Sequence, residues 1–340
     1  MLISWNTTRS CNLKCRHCYR DARGCPDPNE LSTEEGKALI ADVASAGFEV
    51  MVFSGGEPLL RADIYELIAH ASRCALRPVV GSNGTLITGD VARRLLDAGA
   101  ARVGVSLDSA AAPVHDALRG VEGCFDRALE GILRCRDVGL PFQIHTTITA
   151  QNYRRIEEIA HKAVELGASA YHVFFMVPVG RAEKMVDETL RVDQYERLLR
   201  EIMKLQETLP IEIKPTCAPQ FMRIAKEMNI PMRFTKGCLA GVAYACVLPS
   251  GDVHPCPYLP IHLGNVRTTP LSRIWKEHPV ILRLRREKPQ GRCGDCEFQP
   301  ICGGCRARAY YYSGGDYMAE EPWCPYQPKK AAKLRPRAGR

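Results

Sequence analysis

The stretch Leu2-Ile3-Ser4-Trp5-Asn6-Thr7-Thr8-Arg9-Ser10-Cys11-Asn12-Leu13-Lys14-Cys15-Arg16-His17-Cys18-Tyr19 decides how the rest of the chain is read. Leu2–Thr7 is a β-rich run, and three cysteines spaced CxxxCxxC follow it directly. A [4Fe-4S] cluster takes four ligands, and this loop offers three closely spaced thiolates. An iron with no protein ligand is open to a substrate or cofactor, by the logic that separates catalytic from structural zinc sites. A zinc knuckle completed by His17 is the competing reading of the same residues.

Outward from this loop one rhythm repeats six times up to about residue 180, a short β-rich run followed by an amphipathic helical stretch. The strand candidates are Leu2–Thr7, Glu49–Phe53, Pro78–Gly81, Arg102–Leu107, Phe142–Thr149 and Tyr171–Val177. Ser32-Thr33-Glu34-Glu35 reads as a capping box opening the first helix, and Gly47, Gly99, Gly139 and Gly167 stand where helices end. Strands alternating with helices imply right-handed crossovers and a parallel sheet. Six units are too few for a closed eight-stranded barrel, so the fold class is α/β, an open, partial (β/α)6 barrel. Its functional groups are expected at the carboxyl ends of the strands. A helical stretch over 192–207 follows, and Pro210, Pro215, Pro219 and Pro231 then break the pattern. From Gly237 to Tyr326 turns and cysteines dominate, a texture that buries little apolar core and needs metal to fold. The expected division is a barrel with connecting helices over 1–230, a cysteine-rich domain over 231–326, and a basic, disordered tail over 327–340.

Composition narrows the function. With 46% hydrophobic and 25% charged residues the chain is globular, and no apolar run nears the roughly 20 residues of a membrane span. The N-terminus lacks the basic start and apolar core of a signal peptide, so a cytoplasmic location is expected. The net charge of +8 arises mostly from Lys329, Lys330, Lys333, Arg335, Arg337 and Arg340, which argues against nucleic-acid binding by the folded part. Sixteen cysteines in a reducing compartment point to metal rather than disulfides. Cys25, Cys74, Cys124, Cys135 and Cys217 are scattered, as incidental cysteines are.

Two further motifs carry chemistry. Ser54-Gly55-Gly56-Glu57-Pro58 ends the second strand, where two glycines permit close backbone approach to a ligand and Pro58 stops the strand. The C-terminal thiols read Cys238-x7-Cys246-x9-Cys256 and Cys293-x2-Cys296-x5-Cys302-x2-Cys305-x18-Cys324. Eight thiolates suit two zinc sites as well as two iron–sulfur clusters.

CxxxCxxC followed by an aromatic, with GGEP at the next strand end, resembles the radical S-adenosylmethionine (SAM) superfamily over residues 1–180. The resemblance implies that Cys11, Cys15 and Cys18 hold a [4Fe-4S] cluster whose open iron chelates SAM. Gly55, Gly56 and Glu57 would engage its amino group and Tyr19 its adenine, while Ser82, Asn83 and Ser106 line the same site. The C-terminal spacing, with Gly251-x4-Cys256 and Cys-Gly-Gly-Cys at 302–305, resembles the SPASM extension, although the gap from Cys302 to Cys305 is one residue short of the commonest. That resemblance implies two auxiliary clusters, one on Cys238, Cys246, Cys256 and Cys305, the other on Cys293, Cys296, Cys302 and Cys324.

Within SPASM proteins several runs are similar to the tetrapyrrole-processing heme enzymes of the siroheme-dependent pathway. They are Thr216-Cys217-Ala218-Pro219-Gln220-Phe221, Cys256-Pro257-Tyr258-Leu259-Pro260, Gly304-Cys305-Arg306-Ala307-Arg308, Gly315–Cys324 and His172–Arg181. The resemblance implies oxidative decarboxylation of two propionates of iron-coproporphyrin III to vinyls, giving heme b, with a reducing donor such as ferredoxin or flavodoxin. Paralogous chemistries stay open: deacetylation of 12,18-didecarboxysiroheme, propionate removal in dioxo-heme synthesis, or peptide modification. For a flat anionic disc, Phe174, Phe175 and Met176 are candidate walls, and Arg181, Arg306 and Arg308 candidate carboxylate partners. His172 is a candidate for the iron.

Overall fold

The computed structural model describes residues 1–329, and the tail expected to be disordered lies from residue 330 onward outside the described residues. The chain opens with β1 (Leu2–Thr8), α1 (Thr33–Ser45), β2 (Val50–Gly55), α2 (Ile64–Arg73), β3 (Arg77–Ser82), α3 (Gly89–Asp97) and β4 (Arg102–Ser106). It continues through α4 (Ala112–Arg119), α5 (Cys124–Asp137), β5 (Phe142–Ile148), α6 (Ile156–Leu166), β6 (Ala170–Phe175), α7 (Val192–Thr208), β7 (Glu212–Thr216) and α8 (Phe221–Glu227). The cysteine-rich part contributes β8 (Tyr244–Val247), β9 (Val253–His254), α9 (Leu271–Glu277), α10 (Pro279–Arg286), α11 (Gly291–Asp295) and α12 (Arg306–Tyr312).

Local chemistry sets these boundaries. Ser32 Oγ accepts from the Glu35 amide at 3.3 Å and Glu35 Oε2 accepts from the Ser32 amide at 2.8 Å, which closes the expected capping box of α1. Gly47, Gly99, Gly139 and Gly167 all adopt positive φ after their helices, the left-handed geometry that glycine takes without strain.

One sheet organises the molecule, in the order β7-β6-β5-β4-β3-β2-β1-β8-β9. All neighbours are parallel except β8 and β9. The six expected strands form its middle, and the sheet is wider than a six-unit barrel at both edges. β7 was hidden by Pro215, a residue compatible with a strand here because β7 is an edge and has no outer neighbour to receive the missing N–H. β8 pairs with β1, Leu2 opposite Tyr244 and Ser4 opposite Cys246, so the sheet runs across the expected boundary near residue 230.

Burial alternates along the strands. On β5 and β6, Ile144, Thr146, Ile148, Tyr171, Val173 and Phe175 are sealed against the helices. Their neighbours His145, Thr147, His172 and Phe174 are half-buried on the concave face. Gly36 of α1 lets that helix seat on β1, because a Cβ there would meet the Trp5 ring at 2.6 Å. The cysteine-rich part has more apolar core than its texture suggested. Leu271, Ile274, Trp275 and Ile281 join the main core, with Trp275 5.0 Å from Phe48 between ring centroids. Their helical spacing is short enough to be lost among the turns.

Candidate functional site

The first cysteine loop lies at the carboxyl end of β1, clamped from three sides. The Cys11 amide donates to Arg23 O at 2.6 Å. The Lys14 and Arg16 amides donate to Arg119 O and Leu118 O, at the end of α4. Gly120 allows this approach: a Cβ there would lie 2.7 Å from Lys14 O. From the 3-10 segment Gly180–Glu188 after β6, the Arg181 guanidinium donates to Cys15 O at 2.8 Å and to Ala22 O at 2.7 Å. Arg181 therefore fastens the cluster loop through Nε and Nη1.

Beneath the loop lies a buried charge network that the sequence reading missed. Arg119 Nε donates to Asp108 Oδ2 at 2.7 Å and its Nη1 reaches Cys15 Sγ at 3.7 Å. The Thr147 amide donates to Asp108 Oδ1 at 2.8 Å, and His17 Nε2 stands 3.7 Å from Asp108. Burial opposes ionisation of Asp108, but Arg119 and the nearby imidazoles outweigh it and hold the carboxyl at about 2. His17, within the loop, is turned to Asp108 and held neutral by burial, with its value lowered to about 4. Burial pushes the Cys11 thiol up to about 11, with Glu57, Cys15 and Cys18 adding like charge. Cluster binding must displace protons from such thiols.

The GGEP loop is built into the cysteine loop. The Gly56 amide donates to Thr8 O at 2.8 Å and the Glu57 amide to Ser10 O at 2.7 Å. Cβ atoms at Gly55 and Gly56 would lie 2.5 Å from Thr8 O and 2.1 Å from Ser10 O, so only glycine fits either place. Glu57 turns inward rather than toward the cluster loop. Its carboxylate accepts from Ser82 Oγ at 2.9 Å, the Asn83 amide at 2.8 Å and the Leu59 amide at 3.2 Å, and the residue is fully buried. Burial raises it to about 7 against those three donors. Asn83 is engaged with Asn12 and Thr85, and Ser106 with Ser82 O. The loop and strand ends 2 to 4 thus form one polar scaffold. Tyr19 joins it through Oη to Asn6 Oδ1 at 3.2 Å, and its ring meets Tyr258 at 4.9 Å.

The C-terminal thiols fall into two groups. Cys293, Cys296, Cys302 and Cys324 line one pocket, as the resemblance grouped them. Cys217, Cys256 and Cys305 share an apolar patch with Val177 and Leu259. Cys238 adjoins it, since Gly237 packs on Pro219 and Gly303 on Cys238. Burial, with Cys305 and Cys238 the nearest like charges, drives the Cys217 thiol well up. Cys246, expected in this set, stands apart on β8, where its Sγ accepts from Asn6 Nδ2 at 2.9 Å and Arg20 Nη2 at 3.3 Å. Cys217 lies nearer this group, because β7, the unforeseen strand, delivers it to the carboxyl edge of the sheet. Sulfur spacing bears on the metal. Four thiolates on zinc hold their sulfurs about 3.8 Å apart. Among the described residues no three of these sulfurs lie within 4.8 Å of one another. A cluster with several irons between its ligands needs that wider spread.

Other expected substrate contacts are structural. Arg308 is fully buried, with Nε on Glu321 at 2.9 Å and Nη1 on Cys217 O at 2.6 Å. Arg306 donates to Gly304 O, Tyr317 O and Ala319 O. Phe175 and Met176 are core, whereas Phe174 and His172 remain on the concave face. No described helix is long and apolar enough to cross a membrane.

Comparison with known proteins agrees with this architecture. Residues 5–163 match the Radical SAM superfamily and residues 238–297 the SPASM iron–sulfur cluster-binding domain. The AdoMet-dependent heme synthase of Nitratidesulfovibrio vulgaris is 42% identical, over 98% of this chain and 94% of that one. The AdoMet-dependent heme synthase of Methanosarcina barkeri is 43% identical over 97% of each. The Fe-coproporphyrin III synthase of the same organism is 36% identical over 95% of this chain and 87% of its own. Among solved structures, Streptococcus suis SuiB bound to precursor peptide SuiA superposes with TM-score 0.77 at 18% identity, covering 96% of this chain and 76% of SuiB, a likeness of fold alone. The chain is a radical SAM enzyme, with SAM and iron–sulfur clusters as its cofactors, and belongs to the SPASM-bearing family of the AdoMet-dependent heme synthases.

Proposed function

We propose that this enzyme converts two propionates of iron-coproporphyrin III to vinyls, yielding heme b. The observation that carries the reading is the near full-length identity of 42–43% to heme synthases against 36% to the Fe-coproporphyrin III synthase. At each propionate the net change is loss of CO2, one hydrogen atom and one electron. The first cluster with SAM supplies hydrogen-atom abstraction, and an auxiliary cluster is suited to receive the electron. Ligands would be Cys11, Cys15 and Cys18, then Cys217, Cys238, Cys256 and Cys305, and finally Cys293, Cys296, Cys302 and Cys324. A low-potential donor of the ferredoxin or flavodoxin type completes the cycle.

The chain's own part is to bind and orient the disc. Phe174, Thr147 and Thr216 offer a mixed wall on the concave face, with Lys214 on β7 in register with His172. With Arg181 and Arg306 fastening loops and Arg308 paired in the core, Arg20 is a cation available for a propionate. It pairs with no carboxylate among the described residues and lies 5.0 Å over the Tyr19 ring beside Cys246. A guanidinium in that position suits a carboxylate by its bidentate fork. The test is anaerobic incubation of the reconstituted enzyme with SAM, dithionite and iron-coproporphyrin III, with mass analysis of the porphyrin. A monovinyl species and then heme b are expected, one SAM consumed per step. Loss of acetate groups from didecarboxysiroheme instead would assign the paralogous deacetylation.

A further inference from the structure

Two imidazoles on the concave face have no part in the chemistry above. His145 of β5 and His172 of β6 are register partners, and their rings stack with centroids 5.3 Å apart and planes within 8°. Phe174 closes on His145 at 5.1 Å. Gly104 of β4 makes room for the pair, since a Cβ there would lie 2.3 Å from the His145 ring. His145 is fixed by Gln143, whose side-chain amide meets its Nε2 at 2.6 Å.

His172 is different. Neither of its ring nitrogens makes a hydrogen bond among the described residues, and neither is sealed from solvent. Its nearest carboxylate, Glu212, is 3.9 Å away, beyond hydrogen-bond length, and the side chain keeps 19% of its surface exposed. Because neither nitrogen is sealed or held by a protein partner, the ring is open to a ligand on the face it lines. Burial holds both rings neutral, His145 at about 4 and His172 well below its ordinary value, with His145, Lys214 and Arg102 adding like charge to the latter. A neutral imidazole with a free nitrogen is the commonest protein ligand for a transition metal. The substrate class proposed above brings such a metal with it.

We infer that His172 binds the iron of an iron tetrapyrrole as an axial ligand, with His145 stacked behind it as a positioning residue. The inference rests on the heme-synthase reading. The bond formed is Fe–N, and the group displaced is the water or anion on the incoming iron. This contact selects iron-bearing over metal-free coproporphyrin and fixes how the disc sits relative to the strand ends.

The experiment is electron paramagnetic resonance of the full-length enzyme with its clusters oxidised and therefore silent, titrated anaerobically with ferric coproporphyrin III. Wild type should replace the signal of the free porphyrin with that of an imidazole-ligated iron. His172→Ala should leave the iron unligated, weaken iron-coproporphyrin at least about tenfold, or about 1.4 kcal/mol, and spare metal-free coproporphyrin. Added imidazole should restore the ligated signal. His145→Ala should keep that signal with reduced affinity. Unchanged cluster content and SAM binding in the variants establish that they are folded. A wild-type spectrum from His172→Ala, or equal losses for iron-bearing and metal-free porphyrin, overturns the ligand assignment and leaves the decarboxylase reading intact. If wild type takes up no iron-coproporphyrin at all, the heme reading itself is lost and the ligand assignment with it.

Discussion

Gly56 is the point where the SAM loop and the cluster loop touch, and a methyl group there has nowhere to go. Its Cβ would lie 2.1 Å from Ser10 O, a backbone atom one residue from Cys11. Gly56→Ala should therefore displace the cluster loop and lower iron content by about four per chain, with the C-terminal clusters retained. Iron analysis showing a full complement would contradict this. Glu57→Gln tests the scaffold in another way. An amide cannot accept from Ser82, Asn83 and Leu59 together, so one donor is left unpaired at a cost of about 1–3 kcal/mol. A lower melting temperature and weaker SAM binding should appear together. A third expectation concerns pH. Burial holds His115, His145 and His254 at about 4 in the folded chain, below their ordinary 6.5. Unfolded chains take up these protons first as pH falls, so stability is full above 6.5 and declines toward 4. The loss should be on the order of 1 kcal/mol per histidine by about pH 5.5, read from urea midpoints of the reconstituted enzyme. A flat profile over that range would show that the rings are accessible in the folded state.

At the scale of elements, the α9 helix makes one large aromatic contact with the main core that can be removed. Trp275 is buried against Phe48. Trp275→Ala should cost about 3–5 kcal/mol and expose the segment after α9 to protease while SAM still binds the barrel. The features legible in the sequence were those written in local chemistry: the Ser32–Glu35 capping box, the left-handed glycines, and the six middle strands. What stayed hidden depends on partners far along the chain. β7 carries a proline that only an edge position tolerates. β8 is four residues, Tyr244–Val247, and has strand character only because β1 lies beside it. The site followed the same division. Cys11, Cys15, Cys18 and the GGEP glycines were legible because their spacing is local. The grouping of Cys217 with Cys238, Cys256 and Cys305 was not, since nothing near it in sequence shows that a strand carries it there. The Asp108–Arg119 pair under Cys15 spans two elements, and no pattern along either one marks it.

For the whole molecule, the two thiol groups and the first loop together set the iron inventory. Anaerobically prepared protein should carry about twelve irons. Cys217→Ala should lose about four of them and Cys246→Ala none, which iron analysis and Mössbauer spectra can distinguish; the reverse result would return Cys246 to the ligand set. Because β8 is hydrogen-bonded to β1, the cysteine-rich part and the barrel share one sheet, and Tyr244 Oη donates to Ser4 Oγ across 240 residues of chain. On the ribosome that separation becomes time. At about 5–20 residues per second, β1 emerges about 10–50 s before the strand that covers its outer edge. Throughout that interval the nascent chain presents an unpaired edge strand and a three-thiol loop open on one side. Docking of β8 then covers that edge and joins the cysteine-rich part to the strand that leads into Cys11.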